Sequence, residues 1–154
     1  MSIFETGLIW KQGKQATLGA RDNPALEVAT PPEFGGPART WCPEELFVAS
    51  VESCLMSTFL YFVDRFHLSL ACYSSRSKGI LKKTTEGLRF SGVEVWIEAA
   101  WADAASLEKA DSLRLKEKME KYCPVSASLS CPVSIQIILR KSTGDGGERG
   151  SDRS

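Results

Sequence analysis

The chain has 154 residues, of which 43% are hydrophobic and 25% are charged, and this is the size and composition of one globular domain. Its 19 Lys and Arg residues balance 19 Asp and Glu residues, so it lacks the positive surplus that nucleic-acid binders and polybasic membrane anchors carry. We therefore expect no nucleic acid and no membrane among its partners.

The N-terminal part of the chain is predicted to form short strands followed by a loop. Alternating side chains over 4–10 and a second short run over 15–20 favour a β-hairpin, and residues 25–30 favour a third strand. Residues 31–43 contain four prolines and a Gly-Gly pair, which predicts an extended loop and excludes a helix or a central strand.

A long central helix is predicted from Pro43 to about Phe66. Proline fits the first helical position, and the two glutamates that follow it complement the positive end of the helix dipole. Apolar residues cover most of the circumference, which requires that other elements enclose the helix. Because Glu52 and four Ser or Thr residues interrupt the apolar run 46–63, we expect a buried core helix and not a membrane span.

The C-terminal half is predicted to hold a β-hairpin, a helix and one more strand. The hairpin comprises residues 68–82 and 88–101, the amphipathic helix residues 103–122, and the last strand residues 133–139. Residues 141–154 contain no large apolar side chain, so we expect a disordered tail behind a domain of residues 1–140.

This order of elements predicts an α+β fold with antiparallel sheets around the buried central helix. The predicted hairpins are long, and the helix between them is apolar on nearly every face. We therefore expect a second copy of the chain to complete the enclosure, as a homodimer.

Histidine and cysteine usage restricts the chemistry. His67 is the only histidine, which argues against His-rich metal sites, serine–histidine triads and cysteine–histidine dyads. The five cysteines, at positions 42, 54, 72, 123 and 131, contain no C-x-x-C pair, so neither a disulfide framework nor a zinc site is expected. The first residues also lack a secretory signal pattern. We therefore expect a reducing compartment, the cytoplasm, and no metal or other cofactor.

Cys54 lies near the middle of the predicted central helix. A thiol in apolar surroundings has a raised pKa and is inert, so a reactive Cys54 needs a nearby cation. The helix has no Lys or Arg from residue 45 to residue 64, and Arg21, in the turn GARDN, is a candidate from another element. Taken in isolation, each residue also has an ordinary structural explanation: a small core residue at Cys54, an exposed turn charge at Arg21 and a helix-start acid at Glu44.

Geometry decides only part of the question of a disulfide partner for Cys54. Cys42 precedes it by about 18 Å along the chain if the intervening residues are helical, whereas the Cα atoms of a disulfide lie within about 7 Å. This excludes Cys42 as an intrachain partner. Cys123, at the end of the second helix, and Cys131, at the start of the last strand, can both reach the central helix, whereas Cys72 is expected to be a packing residue.

Three segments resemble the OsmC/Ohr family, named for osmotically inducible protein C and organic hydroperoxide resistance protein. GARDN at 19–23 is similar to the family's arginine-containing turn, PEELF at 43–47 with Cys54 behind it is similar to its helix start and first cysteine, and CPVSASL at 123–129 is similar to its second cysteine segment. The resemblance extends over nearly all of residues 4–140 and implies the α+β OsmC/Ohr fold as an intertwined homodimer.

The resemblance also implies a thiol-dependent peroxidase that acts through a sulfenic acid and then a Cys54–Cys123 disulfide. Cys54 matches the peroxidatic cysteine and Cys123 the resolving cysteine. Arg21 matches the arginine that stabilises the thiolate, and Glu44 the glutamate that orients this arginine. The implied substrate is an organic hydroperoxide, and a dithiol, such as a lipoyl group or a small thiol, is the implied reductant. A non-catalytic redox sensor, a small-molecule-binding dimer on the same fold and a purely structural dimer are the alternatives.

Overall fold

The computed structural model describes residues 1–143, which contain two three-stranded sheets and four α-helices. The first sheet comprises β1 (Gly7–Gln12), β2 (Gln15–Gly19) and β3 (Leu26–Ala29), and the second comprises β4 (Leu70–Thr84), β5 (Gly87–Trp101) and β6 (Val133–Lys141). The helices are α1 (Pro43–Arg65), α2 (Ala104–Ser112), α3 (Leu115–Tyr122) and α4 (Pro124–Ala127). The predicted α+β class and long central helix are thus confirmed.

The first sheet is an antiparallel meander. β1 turns into β2 at Gly13, whose φ of 51° suits glycine, and β2 pairs with β3. Every residue of β1 is exposed, including Ile9 and Trp10. The loop that follows β3 differs from the prediction in holding a single 3-10 turn, Pro32–Phe34. Proline at its first position fixes φ near a helical value, and Gly35, at φ 81°, ends the turn.

Helix α1 begins with a capping box and ends with a Schellman motif. The Cys42 sulfur accepts a hydrogen bond from the Glu45 N–H (3.5 Å), and the Glu45 carboxylate accepts one from the Cys42 N–H (3.0 Å). At the other end, the N–H groups of His67 and Leu68 donate to carbonyls of the last turn (3.1 and 3.0 Å), with His67 at φ 52°. The single histidine therefore has a structural role at the helix C-terminus.

One face of α1 packs against the second sheet and forms the core. Gly79 of β4 permits the close approach, because a Cβ atom there would collide with the side chains of Val48 and Phe90. Other faces of the helix remain open, since Tyr61 is 60% exposed and Met56 37%. The core face consists of Val51, Leu55, Thr58, Phe59, Phe62 and Val63. By length and composition α1 could cross a membrane. Its packing against the second sheet makes it a core helix.

The predicted single helix after β5 is two helices, separated at Arg114, which lies in the left-handed region at φ 51°. α2 buries Ser106 and Ala110, and α3 buries Leu115 and Met119. A continuous helix would turn Leu115 about 140° away from Ala110, because they are five residues apart and each residue rotates the chain by about 100°. The break at Arg114 lets both helices present their buried side chains to the same core.

The last strand corrects the expectation of purely antiparallel sheets, because β6 runs parallel to β5. Val93 is opposite Val133, and Trp101 is opposite Lys141. The connection through α2, α3 and α4 carries the chain back along β5, so β6 enters the sheet in the same direction, as crossover connections between parallel strands do. Lys141, the first residue of the predicted tail, belongs to β6, and residues 144–154 lie outside the described residues.

Candidate active site

Two cysteines from different elements meet beside α1. Cys54 lies in the middle of α1, and Cys123 lies at the junction of α3 and α4. Their Sγ atoms are 3.0 Å apart, well beyond the ~2.05 Å of a disulfide bond, and both thiols are free. Cys123 is 0% exposed, whereas Cys54 is only partly buried. Of the two partners that the sequence left open, Cys123 is the one in contact with Cys54.

Two hydroxyl groups lie next to this cysteine pair. The Ser126 hydroxyl donates a hydrogen bond to the Cys123 sulfur (3.1 Å), and the Thr58 hydroxyl donates to the Cys54 carbonyl (2.9 Å). Sequence reasoning missed both. The signal for Ser126 is its spacing: Cys123 is the N-cap of α4, proline occupies the first helical position, and the third residue of a helix can turn its side chain back over the N-cap.

The two thiols differ in acidity. Burial raises the pKa of the Cys54 thiol, and its hydrogen bond to Cys123 raises it further. Burial alone would also raise the pKa of the Cys123 thiol, but its hydrogen bonds with Ser126 and Cys54 outweigh the effect of burial, so this pKa lies below its ordinary value. Activation of Cys54 as a nucleophile needs a further group.

An open cavity of about 690 Å³ begins at Cys54. It follows the face of α1 that carries Cys54, Thr58, Tyr61 and Arg65, which share one side of the helix because they are spaced by three and four residues. Aromatic rings form much of the remaining wall, and Lys118 lines it together with Arg65. The cavity can therefore hold an apolar molecule with its reactive end at the Cys54 sulfur.

Arg21 is not among the residues that surround Cys54 in the described protomer. It occupies the turn after β2, at φ 53°. Its Nη2 group donates to the Ile3 carbonyl (3.3 Å), and its guanidinium lies over the Phe4 ring, 5.4 Å from the centroid. The side chain is exposed, and the predicted meeting of Arg21 and Cys54 is not present within one chain.

Glu44 also lies away from the cysteine pair. It belongs to the first turn of α1 and lines a second cavity, of about 820 Å³, together with Cys42 and Glu52. Its Oε2 atom is buried without a hydrogen-bond partner. Among the ion pairs of residues 1–143, neither Glu44 nor Arg21 takes part in one. One protomer thus holds a carboxylate on α1 and a guanidinium on the first sheet that form no ion pair within residues 1–143.

The other three cysteines lie apart from this pair. Cys42 is the buried N-cap of α1, and burial raises the pKa of its thiol. Cys72 is exposed on β4, and Cys131 is half-buried just before β6. Within residues 1–143 there is no cluster of three or more His, Cys, Asp or Glu residues that could hold a metal ion.

Comparisons with known proteins identify the fold. The family model described as OsmC-like protein matches residues 36–138, more than half of the chain. The structure is similar to an OsmC-like protein of unknown function from Vibrio cholerae, with 19% identity and a TM-score of 0.80 over 90% of this chain and 100% of that chain. It is also similar to an organic hydroperoxide resistance protein OsmC from Legionella pneumophila, with 22% identity and a TM-score of 0.69 over 92% of this chain and 98% of that chain.

A third similar structure is the organic hydroperoxide resistance protein OhrB of Bacillus subtilis, with 15% identity and a TM-score of 0.62 over 90% of this chain and 98% of that chain. A search of curated proteins gave no significant match. The family match and the shared fold agree with the resemblance of the three sequence segments. The chain belongs to the OsmC-like protein family.

Proposed function

We propose that the protein is a thiol-dependent peroxidase that reduces organic hydroperoxides at Cys54. The observation that carries this proposal is the cysteine pair: a partly exposed thiol at the mouth of an apolar cavity touches a fully buried thiol from another element, at 3.0 Å. A peroxide can reach Cys54, and Cys123 can then reach the oxidised sulfur without a large movement. Two of the similar structures are organic hydroperoxide resistance proteins, which agrees with this chemistry.

The reaction proceeds in three steps: oxidation of Cys54, formation of the disulfide and its reduction. The Cys54 thiolate attacks the distal peroxide oxygen, the O–O bond breaks, and the alkoxide takes up a proton to leave as an alcohol, with a sulfenic acid on Cys54. Cys123 attacks this sulfenic acid, and a disulfide forms with release of water. A lipoyl dithiol, which is oxidised to its cyclic disulfide, or two molecules of a small thiol, which are oxidised to a linear disulfide, then reduce the Cys54–Cys123 disulfide. We place this cycle in the cytoplasm, where such reductants keep thiols reduced.

In this proposal the protein is a homodimer, and a second copy of the chain supplies the cation that completes the active site. Within residues 1–143 of one protomer, no cation is among the groups that shift the pKa of Cys54, although Arg65 and Lys118 line the same cavity. Arg21 lies on the first sheet. A second copy that supplies its Arg21 beside Cys54 would lower the pKa of that thiol, since a nearby positive charge favours a thiolate. The exposed apolar side chains of β1 and of α1 supply the surface for such an interface, which we expect to bury about 2,000 Å² or more.

The cavity at Cys54 supports an organic substrate over hydrogen peroxide. Its walls include the aromatic rings of Tyr61, Phe62, Phe66 and Tyr122. An apolar substituent gains free energy by leaving water for such rings, whereas hydrogen peroxide has none to bury. The planar guanidinium of Arg21 suits both the carboxylate of Glu44 and the oxygens of a peroxide.

The purified protein is expected to oxidise dithiothreitol in a manner that depends on added hydroperoxide. Cumene hydroperoxide should be consumed at least about tenfold faster than hydrogen peroxide at equal concentration, since one buried aromatic substituent contributes more than 1.4 kcal/mol. The measurement is the loss of dithiol and the formation of alcohol, in equal amounts. A protein that is oxidised once but does not turn over would instead support the redox sensor.

A mixed dimer tests the contribution of the second copy. Arg21→Ala and Cys54→Ser homodimers should both be inactive. A heterodimer of the two variants, isolated by two different affinity tags, should recover about half of the wild-type activity per dimer, because one of its two equivalent sites holds an intact Cys54 and the partner's Arg21. Light scattering should give twice the protomer mass of 16.9 kDa. An inactive heterodimer of that mass would show that Arg21 does not act across the interface.

A further inference from the structure

We propose that Ser126 is a positioning residue for Cys123: its hydroxyl holds the Cys123 sulfur by a hydrogen bond in the steps in which that sulfur carries negative charge. The inference rests on the proposed function, because it takes Cys54 and Cys123 as the pair that is oxidised and reduced. It adds a residue to that reaction outside the two cysteines, Arg21 and Glu44.

The contact follows from the local sequence. Cys123, Pro124, Val125 and Ser126 form the N-cap and first turn of α4, and the proline fixes the first helical φ. This geometry returns the Ser126 hydroxyl to the N-cap residue, where it donates to the Cys123 sulfur at 3.1 Å. The same sulfur lies 3.0 Å from Cys54. The Cys123 sulfur is therefore in contact with both the Cys54 sulfur and the Ser126 hydroxyl.

Burial makes this hydrogen bond important. Cys123 is 0% exposed, so its sulfur receives no hydrogen bond from bulk water and depends on donors of the protein. An anionic sulfur without a donor in such a place is strongly disfavoured. The lowered pKa of Cys123, in which the Ser126 hydrogen bond opposes the effect of burial, agrees with this role.

The step that depends most on Ser126 is the reduction of the disulfide. A dithiol thiolate attacks the Cys54 sulfur, because the Cys123 sulfur is buried. The S–S bond breaks, its electron pair goes to Cys123, and the dithiol becomes joined to Cys54 as a mixed disulfide. The second thiol of the reductant gives its proton to Cys123 and then attacks the reductant sulfur of that mixed disulfide, which releases Cys54 as a thiolate and forms a cyclic disulfide. Cys123 is the first leaving group, and a leaving thiol of lower pKa departs faster.

The test measures this step without any peroxide. In a chain with the exposed Cys72 replaced by serine, one equivalent of diamide forms the Cys54–Cys123 disulfide, which peptide mapping verifies. The rate constant of its reduction by dithiothreitol at pH 7 is then measured by quenching and alkylation. Ser126→Ala should reduce this rate constant about tenfold, as expected for loss of a hydrogen bond to a charged sulfur, and Ser126→Thr, which keeps the hydroxyl, should stay within about twofold of the parent.

Ser128→Ala is the matched control. Ser128 lies at the other end of α4, and its hydroxyl donates to the Pro124 carbonyl (2.8 Å) and to no sulfur, so this variant should reduce at the parental rate. A parental rate in Ser126→Ala, or equal slowing in Ser126→Ala and Ser126→Thr, would overturn the proposal. Because diamide and not a peroxide forms the disulfide, a protein without peroxidase activity would still give a clear result for Ser126.

Discussion

Cys54→Ser is expected to lower the rate of cumene hydroperoxide reduction to that of the uncatalysed reaction. The serine hydroxyl is a poor nucleophile without an adjacent base, and the single histidine of the chain caps the end of α1 through its backbone. No other cysteine of the described residues shares the arrangement at Cys54, where an accessible thiol borders the apolar cavity. The measurement is the consumption of hydroperoxide with excess dithiothreitol.

Cys72→Ser is the control for this variant, because Cys72 is an exposed thiol of the same chain that lies outside the cavity. It should keep the wild-type rate. Both variants should keep the dimer mass and the thermal unfolding midpoint of the wild type within a few degrees, because each replaces sulfur by oxygen at a site that is not fully buried. Hydroperoxide reduction that survives in Cys54→Ser would remove Cys54 from the mechanism.

Much of the fold could be predicted from local patterns. Pro43 and the acids after it mark the start of α1, and the alternation around Val93 and Ile97 marks β5. The break at Arg114 could not be predicted in this way, because no glycine or proline marks it. It follows from the separate requirements of α2 and α3 to bury their side chains in one core, which is a tertiary effect. The parallel pairing of β6 likewise depends on the path of the chain in space.

The candidate site could be predicted in part. The family resemblance pairs Cys54 with Cys123, although they lie far apart in sequence, and their sulfur atoms are in contact in the structure. Arg21 and Glu44 are not near each other or near Cys54 in one protomer, and a single sequence does not say which copy of a chain supplies a side chain. The spacing of Ser126 predicts that its side chain can turn back over the Cys123 N-cap, but spacing alone does not show that the hydroxyl donates to the Cys123 sulfur.

The Cys123→Ser variant is expected to reduce one equivalent of hydroperoxide and then stop, with Cys54 left oxidised. The Cys54 thiol can still be oxidised, so one equivalent of cumene hydroperoxide should give one equivalent of alcohol. No buried thiol then lies 3.0 Å away to displace water from the sulfenic acid, as Cys123 does in the native pair. Mass spectrometry should show a gain of about 16 Da on the peptide of Cys54 and, with excess peroxide, a gain of about 32 Da for the sulfinic acid.

The wild type and Cys131→Ser set the comparison for this result. In both, one equivalent of hydroperoxide should yield a peptide pair linked between Cys54 and Cys123, lighter than the reduced pair by about 2 Da, and this linkage should protect Cys54 from further oxidation. Cys131 can be replaced without loss because it lies before β6, half-buried, and the sulfur in contact with Cys54 is that of Cys123.

Two results would contradict the resolving role of Cys123: a disulfide between Cys54 and Cys131, or a normal disulfide yield in the Cys123→Ser variant. In that case the hydrogen bond from Ser126 would support only a buried thiol of the core, and resolution would require movement of the segment between α4 and β6.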